Sequence, residues 1–157
     1  MPRPPVAVID PAAPAAGAVA FSLPIRVYWE DTDAGGVTYH AAYVCFLERA
    51  RSEWLRALGV SQQALREADD VMFAVRGMTV DFHAPARLDD ALQAQVVRVE
   101  AGRASLVFHQ RIQRPDDGRV LVEAEVRAAC LTASTFRPRA LPTWLQALVR
   151  QSMNEVC

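Results

Sequence analysis

The chain has 157 residues, 52% of them hydrophobic and 22% charged, which is the size and make-up of one compact domain with a single buried core. Its formal net charge of -1 leaves no surplus of cations to neutralise a phosphate backbone or an anionic bilayer, so nucleic acid is not an expected partner. Cys45, Cys130 and Cys157 are an odd set with no close pair, which points to a reducing compartment, the cytoplasm, with Cys45 and Cys130 as small buried hydrophobes.

In chain order, residues 1–20 are rich in Ala and Pro, and Pro4, Pro5, Asp10, Pro11 and Pro14 interrupt any apolar stretch that could serve a signal peptide. They read as a flexible tail, with residues 21–157 as a single domain. No later segment approaches the roughly 18 uninterrupted apolar residues of a membrane span. Ser22 to Trp29 carries β-branched and aromatic residues in rough alternation and reads as a strand running into an acidic, glycine-containing segment. From His40 to Leu58, Tyr43, Phe46, Leu47, Ala50, Trp54 and Leu58 recur at helical spacing, with Gly59 where helices often close. Ser61 to Ala68 reads as a shorter helix capped by Ser61.

From Val71 onward the period changes to two. Met78, Val80 and Phe82 alternate with Thr79, Asp81 and His83, and Val120 to Cys130 alternates likewise. Leu92 to Glu100 and Ala104 to Gln113 are joined by a turn at Gly102, and Asp116-Asp117-Gly118 is a hairpin signal. Trp144, Leu145, Leu148 and Val149 suggest a short C-terminal helix. One strand, one long helix and four strands with tight turns predict an α+β fold, a five-stranded antiparallel sheet wrapped around the long central helix. Such a sheet keeps an open edge, which favours pairing with a second copy.

Several catalytic motifs are missing: the sequence holds no G-x-S-x-G elbow, H-E-x-x-H zinc helix, phosphate-cradling loop or dinucleotide fingerprint. His40, His83 and His109 lie on separate elements without ligand spacing, so no metal is expected. The chemistry-bearing residues concentrate between Tyr28 and Arg51. Glu30, Asp31 and Asp33 share one loop, followed by Gly35, Gly36 and then His40 at the helix start. On composition this is a solvated acidic turn. Two features argue for more: the loop leads into a helix whose first N–H groups are unpaired and partially positive, and Tyr28, Trp29, Tyr39 and Tyr43 offer ring surface that could exclude water. A carboxylate facing an oxyanion site is a workable acyl-transfer arrangement.

The run Arg26-Val27-Tyr28-Trp29-Glu30-Asp31-Thr32-Asp33-Ala34-Gly35-Gly36-Val37-Thr38-Tyr39-His40, followed by Tyr43, Glu48, Ala50 and Arg51, resembles the signature of the 4-hydroxybenzoyl-CoA thioesterase family of hotdog proteins. Within that family it looks most like the Tol-Pal-associated acyl-CoA thioesterases of bacteria (YbgC type). Further stretches agree, among them Ala84 to Asp90, Ser105 to Phe108 and Arg137 to Pro142, so the resemblance runs from Phe21 to Pro142.

The resemblance implies a hotdog fold, hydrolysis of acyl-CoA to free acid and CoA, no cofactor beyond the CoA of the substrate, and a homodimer or homotetramer. It implies Asp33 as the catalytic carboxylate, acting as nucleophile or as general base. His40 matches the histidine at the start of the central helix, acting through its ring or its backbone amide. Tyr39 and Tyr43 are expected at the substrate. Glu48 matches an acidic position near the acyl group, although Arg51 and Ser52 one turn on can also pair with it. Arg103 falls near a stretch that contacts CoA phosphates in relatives, with one arginine here in place of a basic cluster. A different class of function also stands open: an interaction module binding acyl carrier protein or phospholipid-synthesis enzymes with little hydrolysis. A hotdog dehydratase is a third reading, which the acidic loop fits less well.

Overall fold

The computed structural model describes residues 18–156, so most of the Ala/Pro segment expected to be a tail lies outside the described residues, as does Cys157. In chain order the elements are β1 Phe21–Arg26, α1 His40–Ala57, α2 Gln62–Asp69, β2 Val71–Phe82, β3 Ala91–Ala101, β4 Ser105–Arg114, β5 Arg119–Thr132, β6 Arg137–Pro138 and α3 Thr143–Asn154. The strands form one antiparallel sheet in the order β1-β3-β4-β5-β2. The two-residue β6 pairs with β5 at Leu131 and Thr132, beyond the last β4 pair at Ala129, and so adds a sixth strand to the five expected. It is too short to leave a sequence period.

The amphipathic stripe of α1 explains why the sheet curls around it. Phe46, Leu47, Ala50, Trp54 and Leu55 are buried, recurring three and four residues apart on one face. Trp54 meets Phe108 of β4 edge to face, with ring centroids 5.6 Å apart. Along β5, Val122, Ala124, Val126, Ala128 and Cys130 point to this core while Glu123, Glu125 and Arg127 point outward. Gly59, at φ 82°, and the Val60 N–H, which returns to the Leu55 carbonyl at 3.0 Å, close α1 where Gly59 predicts. Ser61 caps α2 by accepting from the Ala64 N–H.

Three expectations are corrected. The first strand ends at Arg26 rather than Trp29, because the Asp31 carboxylate takes the Tyr28 N–H and winds Trp29–Asp31 into a 3-10 turn. Cys45 is exposed, since it falls between the buried Phe46 stripe and the outer face of α1. In β2 the alternation does not produce a buried face: Val75, Met78 and Phe82 are exposed, because β2 is an edge strand whose open side has no neighbouring strand among the described residues. The β2–β5 register shifts between Val75 and Gly77. No helix among the described residues is long and apolar enough to cross a membrane.

Candidate active site

The acidic loop is built mostly from its own hydrogen bonds. Asp31 is buried; its Oδ2 accepts the Tyr28 N–H at 2.8 Å, and its carbonyl accepts the Tyr39 N–H at 2.7 Å. The Thr32 hydroxyl donates to the Trp29 carbonyl at 2.8 Å. Thr32 and Thr38 form an antiparallel bridge, and the Asp33 N–H donates to the Val37 carbonyl at 3.0 Å. The loop is thus a miniature hairpin with Asp33 opposite Val37 near its tip and Asp31 opposite Tyr39 where α1 begins.

At its tip Asp33 is exposed, and its Oδ1 accepts the Gly35 N–H at 2.8 Å. The second carboxylate oxygen has no hydrogen-bond partner among the described residues. Two glycines make this path possible for different reasons. A Cβ on Gly35 would stand 3.0 Å from the Asp33 Oδ1, whereas Gly36 has open space around it but sits at φ 75°, the left-handed region.

Helix α1 begins at His40 with Tyr39 as an extended N-cap and no capping side chain. Its first N–H groups, those of His40 and Ala41 foremost, therefore remain as donors at the positive end of the helix dipole. One long-range fastening holds this end in place: the Thr38 N–H donates to the Ala86 carbonyl at 2.8 Å, and the Ala86 N–H donates to the Tyr43 hydroxyl at 2.8 Å.

Asp33 lies in the loop that runs into the helix start, opposite Val37, and Tyr39 and His40 adjoin each other at that start. Tyr39 is half exposed, and the His40 ring lies against it, with centroids 4.5 Å apart, and within 6.4 Å of Phe82. Tyr43 is 3% exposed, and its hydroxyl accepts the Ala86 N–H behind the helix start. Glu48 is exposed two turns along α1 and accepts the Ser52 hydroxyl at 2.7 Å. Arg103 lies at the other end of β3 from the acidic loop: Val27 hydrogen-bonds to Asp90 next to that loop, and the 11 residues of β3 then run to the Gly102 turn, a path of about 35 Å at ~3.3 Å per residue.

Sequence reasoning passed over three residues that the structure places here or nearby. Phe82 ends β2 against His40 and Tyr43, which only the fold reveals. Gly35 is required by the approach of a carboxylate, a need that a Gly-Gly pair suggests without saying which glycine carries it. Arg51 is 7% exposed, and its signal was legible: a charged residue four places from Leu47 and from Leu55, in the middle of the buried stripe. Burial pushes its guanidinium below the ordinary value, partly offset by the carboxylate of Glu48. Among the described residues no group of three His, Cys, Asp or Glu side chains could hold a metal ion.

With the geometry in hand, comparison with known proteins identifies its relatives. Residues 27–149 match the model of the thioesterase-like superfamily. The chain is 52% identical over 131 residues to the acyl-CoA thioester hydrolase YbgC of Escherichia coli O6:H1, a match covering 83% of this chain and 96% of that one. Among solved structures, a probable thioesterase from Bartonella henselae superposes with a TM-score of 0.71 at 35% identity, covering 77% of this chain and 98% of that one. The fold also matches the 1,4-dihydroxy-2-naphthoyl-CoA thioesterase of Synechocystis with a TM-score of 0.76 at 22% identity, over 83% of this chain and 95% of that one.

Proposed function

The chain belongs to the thioesterase-like superfamily, and on that premise we propose that it hydrolyses acyl-CoA to a free acid and CoA, with Asp33 as the reacting carboxylate. The observation that carries this reading is the state of Asp33: one oxygen is pinned by the Gly35 N–H while the other is open, in the loop that leads into an uncapped helix start. A thioester carbonyl laid against the His40 and Ala41 amides would gain charge stabilisation as its oxygen becomes an oxyanion. The open oxygen of Asp33 then has two routes. It attacks the carbonyl carbon and expels the CoA thiolate, leaving an anhydride that water cleaves, or it takes a proton from a water that attacks directly. We assign the part of His40 to its backbone amide, which lies in the uncapped first turn of α1.

The working unit in this reading is a pair of chains joined along β2. That strand is a 12-residue open edge, and its exposed Val75, Met78 and Phe82 offer apolar surface for a second copy. Antiparallel pairing of β2 with itself sets the first half of one strand beside the second half of the other. It also reverses the partner, so that the partner's Arg103 end is turned toward the Asp33 end of this chain. We place the enzyme in the cytoplasm, on the cysteine pattern.

Asp33→Asn tests the assignment. An amide oxygen still accepts the Gly35 N–H, so the loop keeps its shape, but neither route to the carbonyl remains. The expected result is a kcat on acyl-CoA lower by about three orders of magnitude or more at an unchanged Tm, in line with loss of a residue that acts as nucleophile or base. Turnover equal to that of the wild type removes Asp33 from the mechanism.

A further inference from the structure

The middle of β2 carries features that a plain strand edge does not need. Val75 lies opposite Ala128 and Gly77 opposite Arg127, so Arg76 is an extra residue with nothing across from it on β5. Gly77 follows it in the interior of the strand, where a glycine weakens a sheet unless a bulge, a ligand or another backbone uses the room. Its φ is not positive, so the bulge does not demand a glycine, and a Cβ there would meet no atom within 4 Å. The space above Gly77 is open to something outside the chain.

That space is a cavity of about 430 Å³ lined by Arg76, Gly77, Met78, Thr79, Glu125 and Arg127. Arg76, Gly77 and Arg127 are exposed, and neither arginine has a hydrogen-bond or ion-pair partner among the described residues. Glu125 is the one carboxylate of the lining, and its Oε2 also stands 4.0 Å from the His109 Nδ1. Each chain thus brings two cations and one anion to the cavity.

A strand that pairs with its own copy over its full length has the two-fold axis at its midpoint, and the midpoint of Val71–Phe82 is Arg76–Gly77. The cavity of one chain then meets that of its partner at the axis, and four guanidiniums surround one point. Left empty, the site opposes like charges across paired strands, which destabilises the pair. The two Glu125 carboxylates can answer two of the four cations and leave two uncompensated. A phosphate group matches the fork of a guanidinium and takes more than one of them at once. In a diphosphate the two phosphates are related by a two-fold through the bridging oxygen, the symmetry of the site itself. Its atoms, at the ~30 Å³ that a water takes up in the liquid, need about 270 Å³, less than the cavity of a single chain.

We propose that the β2 pair binds a diphosphate anion on its two-fold axis, held by Arg76 and Arg127 of both chains, and that the anion strengthens the pair. The inference rests on the β2 pairing set out above and not on the hydrolysis. Since the pair is the working unit, the anion ties turnover at low protein concentration to the supply of diphosphate.

The full chain is titrated with inorganic diphosphate by calorimetry, and the dimer dissociation constant is measured by sedimentation with and without the anion at matched ionic strength. The expected result is one diphosphate per two chains and a tighter dimer, by about a hundredfold when the anion stands at a hundred times its calorimetric Kd. Arg76→Gln and Arg127→Gln, both changes of exposed side chains, should remove most of that gain. Without the anion the same variants should pair no more weakly than the wild type, because the repulsion leaves with the charge; weaker pairing under both conditions assigns the arginines a merely structural contact and overturns the site. No uptake, uptake of one anion per chain, or inorganic phosphate or ADP bound as tightly as diphosphate overturns the site and leaves the pairing standing. A chain that stays monomeric at every concentration overturns pairing and site together, while the turnover of Asp33→Asn still judges the hydrolysis.

Discussion

Replacing Gly35 by alanine isolates the placement of the Asp33 carboxylate, proposed above to react, from the stability of the loop that holds it. The added Cβ would stand 3.0 Å from the Asp33 Oδ1, where ordinary contact begins near 3.4 Å, so the carboxylate must move by about 0.4 Å or turn out of its hydrogen bond with the Gly35 N–H. If a displacement of about 1 Å costs roughly a hundredfold in rate, then 0.4 Å costs about five- to tenfold. The backbone offers no opposing strain, because Gly35 is not among the residues at positive φ. Alanine should in fact restrict the unfolded chain and add about 0.4–1 kcal/mol of stability, or a Tm higher by roughly 1–4 °C for a domain of this size. The assay is paired: initial rates of thiol release from acyl-CoA, and thermal melting of the same samples. Gly36→Ala is the contrast, since its Cβ meets nothing within 4 Å but its φ of 75° makes alanine cost about 1–2 kcal/mol. Wild-type turnover in Gly35→Ala, or a Tm falling in step with activity, refutes the claim that this glycine serves the carboxylate.

Two further outcomes follow from groups that hold the scaffold together. Tyr43→Phe deprives the Ala86 N–H of its acceptor inside the protein, which costs about 1–3 kcal/mol and should lower the Tm by a few to about ten degrees. As Ala86 also anchors Thr38, kcat should fall as well; a melt unchanged from the wild type contradicts the assignment. Asp70 joins the start of β2 to the turn after β5, its carboxylate accepting the Ser134 N–H and hydroxyl at 2.8 and 2.6 Å. Those bonds, aided by Arg139, hold its carboxyl below the usual carboxylate range. A depressed folded value means that the stabilisation is complete above the unfolded pKa, about 3.9, and is lost as pH falls through the lower folded value. Asp70→Asn keeps a residue tolerant of the left-handed φ of 53°, so it should melt below the wild type at pH 7 and converge with it below about pH 4. A gap that stays constant from pH 7 to 3 rules out the ionic contribution.

Local signals were legible and long-range ones were not. The limits of α1 could be read from the spacing of Tyr43 to Trp54 and from Gly59, and the cap of α2 from Ser61, because each depends on neighbours within one turn. Asp33 could be singled out from the resemblance. Its restraint by Gly35 is a matter of tenths of an ångström, which residue types do not encode. Trp29 reads as strand by composition, and only the bond from Tyr28 to the Asp31 carboxylate turns it into a 3-10 turn. The bond between Tyr43 and Ala86 could not be read from the sequence, because the two lie 43 residues apart. Arg103 could be named from the resemblance, but that the length of β3 lies between it and the acidic loop appears only once the strands are laid out.

The self-contained hydrogen bonding of the acidic loop bears on how such a protein can diversify. The bonds that set the carboxylate run within residues 28–39, with Thr38 fastened to Ala86, whereas a cavity of about 200 Å³ takes its walls from α1, α2, β2, β4 and β5. Substitutions at Leu55, Phe73, Leu106 or Phe108 can reshape what is held without disturbing a single contact of Asp33. Reaction and preference thus occupy separate stretches of one gene, and a lineage can keep the first fixed while it explores the second.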